Sequence, residues 1–595
     1  MLEGLNDFQL NAVVSENNTL VLACPGSGKT RVLTRKIAYE LGRLESKKKF
    51  IVALTFTNRA AEEIQKRIDE LGIPQDQLWA GTIHSFCHQW VIKPYAEAIP
   101  DLVNGFSIID DFKKNSILNH LKEKYSLPAF QSISTSLDRE GNYTEKEPLH
   151  KIIAEEFHKS ILENKEVDFD LILYFSYRLL EKHEKIRRHL SKLFSYILID
   201  EYQDTSDLQY GIIGQIVKQS NNKCRLFLVG DSDQAIYSSL GGVSKSLEEI
   251  CEEVGSVDME QLVLPGNYRS TQRIVNFFKN FQSENVNIKA LGEHSGESGF
   301  ISLNHSIDKD KLPEEIAKII THHLNNGLSP KDICVIAPQW YFLTPLAKKL
   351  RSLLPDVPLE APGSTPLPRN KENFWWKLSR LFLTEVNPQN SLNRFRWVRQ
   401  VIQEINDYTN ESFGLEHNDC RKYLKLINSI VPKEKKGIRY LELAFNEFFK
   451  ALNIDFNNHP TLNDQWKTFF NGIRRRYESP EFNEVPDDIN YFKTIFTPPN
   501  GVVINTCHGV KGEEYETVIA FGLLWGYIPH WNIIFNESQD VTISSSRNLL
   551  YVIGSRAKRN LHLFAETGRI TQSGRLYRIN DHLAATRFAY DFLQV

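Results

Sequence analysis

The sequence predicts an α/β protein built on parallel sheets, with its chemistry at the C-terminal ends of the strands. Three observations predict it. A short apolar run, Leu20-Val21-Leu22, passes through a Gly-rich turn into a segment with Val32, Leu33, Ile37 and Leu41 at helical spacing. A second run, Tyr196-Ile197-Leu198-Ile199, ends in two adjacent carboxylates, Asp200 and Glu201. Two more runs, Phe50 to Leu54 and Arg225 to Val229, end in the polar loops Thr55 to Asn58 and Gly230 to Gln234.

The turn after the first strand reads Ala23-Cys24-Pro25-Gly26-Ser27-Gly28-Lys29-Thr30. Gly26 and Gly28 let backbone N–H groups approach phosphate oxygens without a Cβ in the way. The helix N-terminus adds its dipole. Lys29 is placed to neutralise terminal phosphates, and Thr30 offers a hydroxyl to Mg²⁺. Ala23 stands where the commonest form of this cradle has its first Gly. At the second strand end, Asp200 is placed to hold Mg²⁺, partly through water, and Glu201 to deprotonate an attacking water. Acids after strands are common, and it is the pairing with the cradle that makes these two informative. Gln234, at the end of the Arg225 strand, can bridge the terminal phosphate and a group across the sheet edge.

Composition bounds the rest. At 595 residues the chain is too long for one core and suggests three to five compact units. Charged residues are 24% and the formal net charge is −3, so no global basic field marks a nucleic-acid binder. The seven cysteines form no CxxC pair, which argues against a structural zinc site or a four-Cys cluster. Scattered cysteines, no signal-peptide pattern at Met1 to Asp7 and no apolar run of membrane-spanning length lead us to expect a cytoplasmic protein with no membrane partner.

The order of these elements resembles the UvrD/Rep/PcrA helicases of superfamily 1, and the resemblance extends along nearly the whole chain. Leu5 to Val13, containing Gln9, resembles the family's Q motif. Gly81-Thr82-Ile83-His84-Ser85-Phe86 and Asn267-Tyr268-Arg269-Ser270-Thr271 resemble two further elements. Thr506 to Tyr515 and Asn548 to Lys558 resemble the two C-terminal ones. The resemblance implies two RecA-like lobes, each with a helical insertion. The first lobe is expected at 1–87 and 191–280, with its insertion at 88–190. The second is expected at 281–383 and 491–595, with a reduced insertion at 384–490. The chain is similar to compact members of the family such as the helicase subunit of the Gabija phage-defence system.

What the resemblance implies for single residues follows its motifs. Gln9 reads adenine, Tyr268 stacks on it and Glu514 contacts ribose. Arg269 and Arg556 are arginine fingers that reach the nucleotide only when a second lobe, or the lobe edge, closes on it, which couples chemistry to movement. Phe56, Thr82, His84, Phe86, Tyr237 and His508 line a single strand of DNA. The family has a basic residue and a stacking aromatic after Tyr237; here the chain reads Ser238-Ser239-Leu240. Base stacking contributes about 1–3 kcal/mol per base, so the strand grip is expected to be weaker. Basic and aromatic clusters at 394–399, 433–436 and 474–477 are candidates to compensate, or are solvated helix faces. The expected activity is an ATP- and Mg²⁺-dependent 3′–5′ translocase or helicase on single strands or 3′-tailed duplexes. The alternative is a DNA-sensing ATPase subunit that regulates a partner nuclease, for example in antiviral defence, and unwinds poorly.

Overall fold

The computed structural model describes all residues except 1, 45, 129–130, 238–240, 256–258, 284–285, 362–365, 369–372, 388–389, 479–484, 498–499, 572 and 593–595. The chain divides into two compact units. One comprises Met1–Ile83, His183–Pro362 and Pro499–Val595; the other comprises His84–Lys182 and Gly363–Pro498.

The first unit contains two six-stranded sheets. The N-terminal sheet uses β1 (Asn18–Ala23), β2 (Phe50–Thr55), β3 (Leu78–Thr82), β4 (Phe194–Asp200), β5 (Arg225–Gly230) and β6 (Met259–Leu264) in the order β3-β2-β4-β5-β1-β6. All its pairings are parallel. The second sheet uses β7 (Phe300–Asn304), β8 (Ile333–Ala337), β9 (Leu359–Glu360), β10 (Val502–Thr506), β11 (Tyr515–Ala520) and β12 (Ala557–Phe564) in the order β7-β12-β11-β8-β10-β9. It too is all parallel.

Parallel sheets are covered on both faces, so their central strands read as nearly continuous apolar runs. β1, β2, β4, β5 and β8 do so, and the four apolar runs named above are β1, β2, β4 and β5. Val21, Leu33, Ile37, Ile51, Ile64, Leu198 and Phe227 pack together in the core of the first sheet. The register sets the site. β1 lies between β5 and β6, with Leu22 opposite Gly230. β4 lies beside β5, with Asp200 opposite Val229. The turn after β1, the acids after β4 and the loop after β5 therefore emerge side by side on one edge.

The second unit is mainly helical. It includes Asp111–Lys124, Pro148–Glu163 and Phe169–Lys182 from one segment, and Phe374–Leu383, Ser391–Thr409, Gly437–Ala451 and Pro460–Glu478 from the other. Trp375, Phe445, Phe449, Phe469 and Phe470 pack together in its core. A buried ion pair joins the two segments: Arg476 Nη2 lies 2.7 Å from Asp110 Oδ2. Lys93 adds a pair with Asp407 at 3.1 Å.

Unit limits and sequence limits differ at two helices. Glu184–Leu193, read as part of the first insertion, belongs to the sheet-bearing unit and leads directly into β4. Phe374–Leu383, read as part of the second lobe, belongs to the helical unit. An amphipathic pattern shows that a helix buries one face, not which body it buries it against.

Candidate nucleotide site and strand-facing surface

The turn after β1 is a cradle with positive-φ glycines, Gly26 at +69° and Gly28 at +84°. A Cβ at Gly26 would stand 2.7 Å from the Cβ of Arg269, so only glycine lets that chain segment pass. Lys29 opens the helix Lys29–Leu41 and Thr30 follows it, half-buried. Ala23, Cys24 and Pro25 are buried, and the Ser27 hydroxyl is buried without a hydrogen-bond partner. The Cys24 thiol is pushed up to about 12 by burial, which leaves it inert.

Lys29 Nζ sits 3.1 Å from Glu201. Burial opposes its charge, but the carboxylates of Glu201, Asp231 and Asp200 outweigh burial and hold its pKa above the ordinary value. Burial pushes Asp200 up, and the charge of Glu201 adds to that. For Glu201 burial acts upward too, but Lys29 and Lys511 prevail and keep it ionised. Glu201 also has φ +55°, a left-handed conformation that disfavours a side chain with a Cβ. Strain of this kind at a sheet edge marks a side chain turned to a set direction. Gln203 Nε2 fixes it further, donating to Glu201 Oε2 at 2.6 Å while Gln203 Oε1 accepts from Asp231 N at 3.0 Å.

Gln234 bridges as its position suggested, but between protein groups. Its Nε2 donates to Asp231 Oδ2 at 2.7 Å and its Oε1 accepts from Arg556 Nη2 at 2.8 Å. Arg556 stands just before β12, so the second sheet reaches the edge of the first through this hydrogen bond. Arg556 is 1% exposed, and burial followed by the charge of Arg269 lowers its pKa to about 9. Arg269 pairs with Glu514 at 2.7 Å and donates to Ser555 O at 2.7 Å. Glu514 also faces Lys558 at 3.4 Å.

Gln9 departs from its expected freedom. It is 3% exposed; its Oε1 accepts from Asn6 N at 3.3 Å in a capping box, and its Nε2 donates to Ser27 O at 3.0 Å. The amide expected to read adenine thus braces the cradle itself. Tyr268 is 39% exposed, and its hydroxyl accepts from Asn6 Nδ2 at 2.5 Å. Asn6, Gln203, Asp231 and Asn267, whose Nδ2 holds Pro25 O at 2.7 Å, were not singled out from the sequence. Their signal was adjacency: each lies within three residues of one that was.

On the strand-facing residues the structure separates the set. Phe56 is 45% exposed and stacks on Tyr237, with ring centroids 4.5 Å apart. The Tyr237 hydroxyl donates to His508 O at 3.0 Å, and the two rings lie 5.7 Å apart. Thr82 ends β3, half-buried. His84, in the helical unit, packs edge-on against Phe169 at 5.2 Å. Phe86 is fully buried, which corrects its expected place on a surface track: its ring fills the core. Ser238, Ser239 and Leu240 lie outside the described residues.

Two basic clusters are also partly internal. Arg394 is 3% exposed and donates to Leu381 O at 2.7 Å, Thr384 O at 2.8 Å and Asn428 Oδ1 at 2.6 Å. Arg476 is spent on Asp110, and Arg474 pairs with Glu442 at 2.6 Å.

A nucleoside triphosphate with Mg²⁺ fits the residues present. The cradle has room that a Cβ would fill, a buried hydroxyl lacks a partner, and a lysine lies among three carboxylates. Fold and site together define a P-loop protein of two parallel α/β sheets, with one arginine, Arg556, reaching from beside a strand of the second to Gln234 at the edge of the first. Residues 5–254 match the UvrD/REP helicase N-terminal domain. Over 95% of its length the chain is 25% identical to the ATP-dependent DNA helicase PcrA of Bacillus subtilis (strain 168), covering 83% of that protein. It is 24% identical over 96% of its length to the protein of the same name from Staphylococcus aureus (strain Mu50 / ATCC 700699), covering 84% of it. The N-terminal part of the chain thus matches a helicase domain, and nearly its whole length is similar to PcrA helicases.

Proposed function

We propose that the protein is an ATP-dependent DNA translocase or helicase that moves 3′ to 5′ along a single strand. The observation that carries this reading is the Gln234–Arg556 hydrogen bond, which joins the loop after a strand of one sheet to the residue before a strand of the other. In this reading the lobes are 1–87 with 191–280 and 281–383 with 491–595, and 88–190 and 384–490 are their insertions. Lys29 and the cradle from Ala23 to Thr30 bind the phosphates, and Thr30 and Asp200 hold Mg²⁺. Bound ATP supplies a phosphoanhydride whose hydrolysis releases the free energy for movement. Glu201 takes the proton of water, and Arg269 and Arg556 offset negative charge at the phosphate edge. Tyr268 and Glu514 face base and ribose, with Gln9 supporting the cradle from behind. Phe56, Thr82, Tyr237, His84 and His508 contact the strand.

The test is turnover of ATP with and without single-stranded DNA, followed by separation of 3′-tailed and 5′-tailed duplexes. Stimulated turnover and preferential opening of the 3′-tailed duplex are expected. No stimulation by any strand rejects the reading. A second reading, a DNA-sensing ATPase that regulates a partner nuclease, is favoured by the inward use of Arg394 and Arg476, which leaves less basic surface for gripping DNA. Stimulated turnover without strand separation supports it.

A further inference from the structure

Lys511 belongs to neither the cradle nor the exposed surface. In the pair it forms with Asp204 the side chains are 6% and 1% exposed. Its Nζ donates to Asp204 Oδ2 at 2.5 Å and to Gln234 O at 2.5 Å. It also lies 5.2 Å from the centre of the Tyr237 ring, close enough for a cation–π contact.

Each of these contacts leads to a different part of the site. Gln234, held by its carbonyl, is the residue whose side chain holds Arg556. Asp204 closes the short turn Tyr202–Asp204 that begins at Glu201, and Asp204 N donates to Glu201 O at 2.9 Å. Tyr237 carries the exposed ring of Phe56 on its face, and its hydroxyl is tied to the carbonyl of His508, three residues before Lys511. Phe56, on the surface, is therefore two contacts from Lys511. Lys511 is in turn one contact from the backbone that sets Arg556 and one from the turn that sets Glu201. Asp204 Oδ1 is buried without a hydrogen-bond partner, so this turn has a second acceptor position for the ammonium to move to. An ammonium on a four-carbon stem re-aims among acceptors easily, where a planar guanidinium is fixed by its fork.

We propose that Lys511 is a positioning residue that transmits occupation of the Phe56–Tyr237 surface by a strand to the nucleotide site. A base stacked on Phe56 loads Tyr237. Lys511 then shifts against Asp204 and Gln234, and the directions of Glu201 and Arg556 change with it. Lys511 touches none of the reacting atoms in this scheme. The inference rests on the reading of the protein as a strand-stimulated ATPase.

The experiment compares wild type, Lys511→Ala and Lys511→Arg in steady-state ATP turnover, with and without a saturating single-stranded oligonucleotide. Binding of the labelled oligonucleotide is titrated in parallel at matched salt. The readout is the ratio of stimulated to basal turnover. For Lys511→Ala the ratio is expected to fall at least tenfold, with KM for ATP and oligonucleotide affinity each within about threefold of wild type. Lys511→Arg should recover part of the ratio, because it keeps a donor for both acceptors. An unchanged ratio in Lys511→Ala overturns the proposal. So does an equal fall of basal and stimulated rates, which is what a purely structural role gives. If Lys511→Ala does not fold, the double variant Lys511→Met/Asp204→Asn removes both charges at similar volume and takes the same measurement with the same outcomes. A wild-type ratio of one rejects the proposed function instead, so the two failures are distinguishable.

Discussion

Gly28→Ala is the sharpest test of the cradle. Gly28 has φ +84°, and an added Cβ would lie 2.9 Å from Gln9 Nε2. A Cβ in the left-handed region costs about 1–2 kcal/mol. The amide of Gln9 is the far end of a flexible side chain, so the clash itself is relieved by swinging it away from Ser27 O. That loses a hydrogen bond with a net contribution of about 0.5–1.5 kcal/mol. The two costs sum to roughly 1.5–3.5 kcal/mol. Where the free loop relaxes out of the strained conformation, nucleotide binding must restore it and the cost appears as weaker affinity. Where it does not relax, the cost appears as lower stability. The assay is therefore paired: denaturant unfolding for stability, and titration with a fluorescent ATP analogue for affinity. The summed loss is expected in that range, which corresponds to roughly 10- to 400-fold if it falls on affinity alone. A double variant with Gln9→Ala isolates the amide, because the second methyl-for-amide change should cost far less once Gly28→Ala is present. A summed loss below about 0.5 kcal/mol would refute the reasoning, since neither the backbone nor the amide would then be bearing on the cradle.

Three further outcomes follow from the site. Glu201→Gln keeps the side-chain volume but cannot take a proton or pair with Lys29; nucleotide should still bind while turnover falls by about 10²–10⁴, measured by phosphate release. Arg269→Ala removes a half-buried side chain and should fold normally with turnover down by about 10³ or more. Arg556→Ala should lose turnover and also stability, by about 3 kcal/mol, because Gln234 Oε1, Val552 O and Glu513 O lose a buried donor; calorimetry separates the two variants. Asp231 gives a pH signature. Burial, with the neighbouring Asp233 charge outweighed in part by Lys29, raises its carboxyl to about 6. A raised acid stabilises the fold fully below its unfolded pKa of about 4, and the contribution is lost as pH rises through about 6. Asp231→Asn removes that titration. Its stability relative to wild type should rise between pH 4 and 7, by up to about 3 kcal/mol, whatever constant offset the lost acceptor imposes. A difference that does not change with pH would show that Asp231 titrates normally.

The sequence carried the strands plainly because parallel strands are buried on both faces and need unbroken apolar runs, as Tyr196 to Ile199 and Ile333 to Ala337 show. Edge strands were less legible. β6 is buried only at its two ends, with half-buried and exposed residues between, and β9 has two residues, too few for a period. The meeting of Lys29 with Asp200 and Glu201 was legible because parallel strands deliver their C-terminal ends to one edge. What could not be read was how side chains spend their hydrogen bonds. Gln9 and a surface Gln are the same letter, yet the structure commits both ends of its amide to Asn6 and Ser27. Phe56 follows one strand directly and Phe86 lies in the short helix after another, but only Phe56 faces out. Periodicity is informative over a helix and silent over one aromatic. The basic runs around 394 and 474 were left open between strand contact and a solvated face for a related reason: charge counting cannot tell an arginine that caps carbonyls, as Arg394 does, from one in water.

That inward use of cations has a consequence for how the protein meets a polyanion. Lys36 is wholly buried on Glu40, Lys114 bridges Asp168 and Asp170, and Lys377 pairs with Glu404 at 2.8 Å. With Arg394, Arg476, Lys511 and Arg556, these are charges entered in the formal sum of −3 that contribute little to the field outside. Each cation held inward is one that cannot neutralise a phosphate and release its counterion, so the salt dependence of any strand binding would report only the cations left at the surface.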